Sequence, residues 1–197
     1  MKYPLNLRFK LITFIKQIYV TDSDGKSVLY IKQKIFKLKE HVELFTDDTK
    51  EKKLCDIKTD NIFDIAALYE FTDDQNNNFG AIRRKGLKSF LRASFEIYSN
   101  SADTTPEFKI SEKSVFTRIL DSLFGQIPII GFLTGYVANP SYLVTDNSGK
   151  TVMELIKQPA LWEGKFTIES RAELSAQQQT RILVGLIMMV LLDGKRG

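Results

Sequence analysis

One unit recurs along this chain and constrains its fold more than anything else. An alternating apolar run ends in Thr-Asp, a polar turn follows, and a second alternating run comes back. It reads Tyr19-Val-Thr-Asp-Ser-Asp-Gly25, Leu44-Phe-Thr-Asp-Asp48, Tyr69-Glu-Phe-Thr-Asp-Asp74 and Tyr142-Leu-Val-Thr-Asp-Asn-Ser-Gly149. A weaker copy, Phe95-Glu-Ile-Tyr-Ser-Asn100, lies between the third and fourth. Period-two alternation bounded by Asp, Asn, Ser and Gly is the pattern of a β-hairpin. Repeated hairpins bury their apolar faces only against one another.

Filling in around these turns gives about a dozen strands. Residues 5 to 15 alternate throughout and read as one strand. The first hairpin continues through Val28 to Leu38, where lysines 32, 34, 37 and 39 mark a solvent face or an edge. The second joins His41–Phe45 to Leu54–Lys58, and the third joins Ala66–Thr72 to Phe79–Arg83. The fourth joins Ala93–Tyr98 to Pro106–Ile110, and the fifth joins Ser141–Thr145 to Thr151–Lys157. Lys165–Glu169 adds one more. Strands this short and this evenly spaced predict a barrel or sandwich.

Two segments depart from the pattern. Ser114–Gly125 carries apolar residues at 115, 116, 119, 120, 123 and 124, the spacing of a short helix, and Gly125 suits its C-cap. Near the C-terminus, Ser175-Ala-Gln-Gln178 is a capping box. The helix it opens runs through Arg181-Ile-Leu-Val-Gly-Leu-Ile-Met-Met-Val-Leu-Leu192 and is apolar on every face. Such a helix is enclosed by protein or inserted in lipid. Its uninterrupted apolar stretch, 182 to 192, falls well short of the roughly 20 residues a membrane span needs. Length therefore predicts enclosure, and the strands provide the enclosure: a mainly β, closed antiparallel barrel around a central apolar helix, one domain over residues 1–197.

Composition adds boundaries. The 197 residues are 43% hydrophobic and 26% charged, enough apolar material for one large core. Net charge is +4, a mild bias toward phosphate-rich or anionic partners. A single cysteine, Cys55, rules out an internal disulfide and suits a reducing compartment. Arg8 and Lys10 interrupt the N-terminal apolar residues, so no secretory signal is expected and a cytoplasmic location is.

The chemistry-bearing residues mostly have structural explanations. Asp22-Ser-Asp-Gly25 does not fit a calcium loop, since a third ligand before the Gly is missing, Gly25 is fourth rather than sixth and Gln33 stands at the twelfth position. Asp47-Asp48 and Asp73-Asp74 sit at turns, where carboxylates satisfy backbone N–H groups. His41 and Cys55 fall in the two strands of one hairpin, a poor setting for a nucleophile pair. The sequence has no nucleophile elbow, phosphate loop, dinucleotide fingerprint or metal-ligand spacing, so no enzyme, cofactor or metal is expected.

The hairpins containing Thr-Asp, together with Gly80-Ala-Ile-Arg-Arg-Lys-Gly86, Pro140-Ser-Tyr-Leu-Val-Thr-Asp146 and Leu155-Ile-Lys-Gln-Pro-Ala160, resemble the LURP-one-related and phospholipid-scramblase-like families, which group with the tubby C-terminal domain. The resemblance runs from about residue 8 to 192 and implies a barrel of about twelve strands around a helix. It also implies contact with membrane lipid, since tubby-like domains bind phosphoinositides and scramblases act at membranes. Unlike scramblases, this sequence has no Pro-rich N-terminal region, no cysteine cluster and no acidic loop before the last helix. Calcium dependence is therefore not implied, and no binding residue transfers by motif.

The densest basic stretch supplies a candidate surface. Arg83, Arg84, Lys85, Lys88 and Arg92 could contact phosphate headgroups, with Phe90 and Leu91 entering the interface. The stretch lacks the interleaved aromatics that stack on bases, which argues against nucleic acid. The expected role is thus a non-enzymatic, peripheral binding module for anionic phospholipid or phosphoinositide. Two alternatives stay open: a protein-interaction domain using the apolar segment 127–136, or a calcium-independent, scramblase-like membrane protein. Trp162 is expected to pack beside that segment or to cap the barrel.

Overall fold

In a computed structural model, residues 1–12, 15–34, 41–59, 67–85, 94–113, 141–160 and 164–193 are described. They form twelve strands: β1 (Leu5–Ile12), β2 (Ile15–Thr21), β3 (Ser27–Lys34), β4 (His41–Phe45), β5 (Lys53–Lys58), β6 (Leu68–Thr72), β7 (Asn78–Lys85), β8 (Ser94–Tyr98), β9 (Phe108–Glu112), β10 (Ser141–Asp146), β11 (Thr151–Gln158) and β12 (Gly164–Ser170). One helix follows, α1 (Ala176–Asp193). Each strand pairs antiparallel with the next, and β1 pairs with β12. The sheet is therefore a closed barrel with no free edge. The expected helix at 114–125, the apolar segment 127–136 and Trp162 lie outside the described residues.

One strand prediction needs correction. Residues 5 to 15 are not a single strand, because β1 stops at Ile12 and β2 starts at Ile15, with Ile12 and Ile15 paired. The alternation runs straight through Thr13 and Phe14 with no Gly, Asn or Pro to announce a reversal.

The hairpins share one construction. Asp22, Asp73 and Asp146 each accept two backbone N–H bonds through Oδ1, from the second and fourth residues onward, at 2.8–3.0 Å. Asp47 accepts one from Thr49 at 3.1 Å. Three residues after each Asp the backbone turns left-handed, at Gly25 (φ 78°), Lys50 (φ 61°), Asn76 (φ 63°) and Gly149 (φ 84°). Each turn is preceded by a shift in the strand register. The Asp side chain satisfies donors that the reversal leaves unpaired, which is why the unit recurs in the sequence.

Strand alternation divides the barrel into an inner and an outer face. Ile18, Val20, Leu29, Ile31, Val42, Leu44, Phe71, Ile82, Phe95 and Ile97 are inner-face residues exposed by 1% or less. α1 runs through them. Residues 181 to 191 are all buried, on every face of the helix. Its start is held by the predicted capping box: Gln178 N–H donates to Ser175 Oγ at 3.2 Å, and Ser175 N–H to Gln178 Oε1 at 3.1 Å. One turn on, buried Arg181 donates from Nε to the Phe79 carbonyl at 2.7 Å and pairs with Glu107. Near the other end, Lys16 Nζ donates to the Leu191 carbonyl at 3.2 Å. The helix thus enters beside the Asp turns and points its C-terminus toward the opposite end.

Candidate functional site

The five hairpin connections 22–26, 46–52, 73–77, 99–107 and 146–150 all lie at the end of the barrel where α1 enters. They contain ten acidic residues against four lysines. The odd-numbered strands all run toward the far end. Lys10, Lys32, Lys58, Lys85 and Lys157 lie at or near the ends of five of them, and Glu112 ends the sixth. Lys16 and Lys165 open β2 and β12 at the same level. Among the described residues, charge is therefore sorted into an acidic end and a basic end.

At the basic end the cations divide by face. Register places Lys16, Arg84 and Lys157 on the inner face, in line with Ile18, Ile82 and Leu155. Lys16 reaches the C-terminal end of α1 there, where a cation offsets the negative end of the helix dipole. Lys32, Lys58, Arg83, Lys85 and Lys165 fall on the outer face. Among the described residues, Lys32, Lys58, Lys157 and Lys165 have no ion-pair partner.

The basic stretch singled out from sequence is split by this alternation. Arg83 points outward, with its guanidinium 5.6 Å from the centre of the Tyr98 ring. Arg84 faces inward, 6.0 Å from the centre of the Phe95 ring. Lys85 points outward and donates to Glu96 at 2.7 Å. Lys88 and Arg92 lie outside the described residues. Arg83 and Lys85 thus share a face that Arg84 leaves, while Lys32 and Lys58 from neighbouring odd strands join that face. The sequence marks Lys32 only as part of a solvent face or an edge and Lys58 only as the end of a strand. Their grouping with Arg83 depends on strands far apart in the chain ending at one level.

Glu96 is a carboxylate held in place on that outer face. Burial opposes its charge, but the hydrogen bonds from Lys85 and from Tyr98 Oη (2.9 Å) outweigh burial and hold its carboxyl below the usual range. Tyr98 is pushed the other way, by burial first and then by the bond it gives Glu96.

A second charged group lies on the outer face of β4 and β5. His41 Nε2 is 2.6 Å from Asp56 Oδ1, and Lys53 Nζ donates to Asp56 Oδ2 at 2.9 Å. Burial again opposes the charge on Asp56, and the two hydrogen bonds, from His41 and then Lys53, bring its carboxyl below the usual range. Cys55, next along β5, points into the barrel opposite Leu44, is fully buried and has its thiol pushed up to about 12 by that burial. His41 and Cys55 therefore lie on opposite faces of the sheet and form no nucleophile pair.

No family model matches this sequence, and no curated protein does. Among solved structures, the X-ray structure of a protein from Arabidopsis thaliana is similar over 100% of this chain and 94% of its own, with a TM-score of 0.54 and 13% identity. That likeness establishes a shared barrel fold. Among the described residues, no helix is long and apolar enough to cross a membrane.

Proposed function

We propose that this chain is a non-enzymatic barrel of the LURP-one-related and scramblase-like kind that binds anionic phospholipid or phosphoinositide surfaces from the cytoplasm. The observation that carries this reading is the sorting of charge: an outward basic rim at one end and the acidic turns at the other. Anionic lipid attracts the rim and repels the turns, so the barrel axis stands toward the surface rather than lying along it. Each lysine or arginine near such a surface contributes about 1 kcal/mol. Lys32, Lys58 and Arg83 together thus account for about 3 kcal/mol, roughly a hundredfold in affinity.

Co-sedimentation with vesicles tests this. Wild-type protein should bind phosphatidylcholine vesicles doped with phosphatidylinositol bisphosphate and release from them as salt rises. The triple variant Lys32→Ala, Lys58→Ala, Arg83→Ala should lose that binding, whereas Lys50→Ala with Lys52→Ala, at the acidic end, should retain it. Equal binding by the two variants removes the proposal, as does failure of wild type to bind.

A further inference from the structure

The His41 and Asp56 group has a third member. Register sets Glu43 of β4 directly opposite Asp56 of β5. One ligand atom each from His41, Glu43 and Asp56 can be chosen so that all lie within 4.8 Å of one another. Two carboxylates facing across a strand pair repel, an arrangement that costs stability unless a cation lies between them. Lys53 meets this need only in part, since its ammonium sits on the Asp56 oxygen away from His41. Glu43 is exposed and makes no hydrogen bond or ion pair among the described residues.

We infer that His41, Glu43 and Asp56 form a binding site for a divalent late first-row metal ion, of which Zn2+ is the physiological representative. One imidazole nitrogen and two carboxylate oxygens are a donor set for such an ion rather than for Mg2+ or Ca2+, which favour all-oxygen shells. Zinc bonds of about 2.0–2.2 Å require ligand atoms roughly 3.3–3.6 Å apart. The group brackets this value, with the His41 and Asp56 atoms 2.6 Å apart and no pair of ligand atoms beyond 4.8 Å. The ion takes the place of the proton between Nε2 and Asp56, and the ring binds as its Nδ1–H tautomer. All three ligands approach from one side of a sheet, which leaves the outward positions to water. Asp56 is the fixed member, with its side chain 5% exposed, and His41 and Glu43 close over it.

Isothermal titration of chelator-treated protein with Zn2+ at neutral pH tests the site. One ion per chain is expected, unaffected by millimolar Mg2+. His41→Ala and Glu43→Gln should each weaken binding at least tenfold, because each removes one of three ligands. The Glu43 side chain is exposed, so Glu43→Gln should melt like wild type in chelator, whereas His41→Ala takes a hydrogen bond from buried Asp56 and should start from a lower midpoint. Added Zn2+ should raise the wild-type melting midpoint and leave those of the variants unchanged. Absence of one-to-one binding overturns the inference. So does binding that survives both substitutions, which would place the ion elsewhere on the surface.

Discussion

A β-carbon placed on Gly185 would lie 2.7 Å from Cδ1 of Ile97 and 3.1 Å from its Cγ1. The middle of α1 thus approaches β8 closely enough that only glycine fits. Ile97 is fully buried and Ile82 Cδ1 stands 3.7 Å from the same point, so Ile97 has no empty volume to swing into. This contact sets the distance between helix and barrel wall.

Gly185→Ala opposes two effects. Alanine favours the helix by about 1 kcal/mol, and overpacking a closed core costs about 1–3 kcal/mol. The clash should win, with a net loss of about 1 kcal/mol. Ile97→Val removes the clashing methyl and by itself costs about 1 kcal/mol. The double variant should therefore be more stable than the sum of the two losses by about 1 kcal/mol or more. Urea unfolding of the four proteins measures this, and strict additivity would show that the helix does not press on β8 there.

Much of this architecture is legible in the sequence, and the reason is local. Each Asp turn is built from residues adjacent in the chain, and the Ser175 and Gln178 cap closes on itself, so both are written in short windows. What the sequence hides is what the closed sheet brings together. Lys32, Lys58 and Arg83 share an outer rim only because β3, β5 and β7 end at the same level. Arg84 leaves that rim because alternation turns it inward between two outward neighbours. His41, Glu43 and Asp56 meet through one register, and spacing within a single strand cannot show that. The break between Ile12 and Ile15 escapes notice for the opposite reason, since its residues look like the strands they separate.

Acid should weaken the fold through Asp56 and Glu96. Both carboxyls are held below their usual range in the folded chain. Their contribution is therefore complete above the unfolded value, about 4, and is lost as pH falls through the lower folded values. Unfolding free energy should hold level from pH 7 to about 5 and fall below about 4. Lys85→Met removes the principal bond that keeps Glu96 ionised, leaving burial to push its carboxyl up. That variant should be less stable than wild type at pH 7 and should lose less on acidification. Urea titrations at several pH values compare the two, and parallel pH curves would show that Lys85 does not hold the Glu96 charge.

The seam between β3 and β4 is where the barrel should open first. Only one residue pair, Tyr30 with Phe45, is in ladder register there among the described residues, against seven between β2 and β3 and five between β4 and β5. Side chains reach across the gap at both ends: Ser27 Oγ donates to the Thr46 carbonyl at 2.8 Å, and Gln33 Nε2 to the His41 carbonyl at 2.7 Å. These bonds replace ladder hydrogen bonds and stop the two strands from parting. Each is worth about 1 kcal/mol, and the Gln33 bond is the better shielded, since it lies on the inner face. Gln33→Leu keeps the volume and deletes the donor, leaving the His41 carbonyl unpaired at about 1–3 kcal/mol. Native-state hydrogen exchange should show the β3 and β4 amides exchanging faster than those of β1 and β2 in wild type, and about tenfold faster again in the variant, with β1 and β2 unchanged in rank. Uniform acceleration across all strands would mean that Gln33 supports the whole barrel rather than this seam.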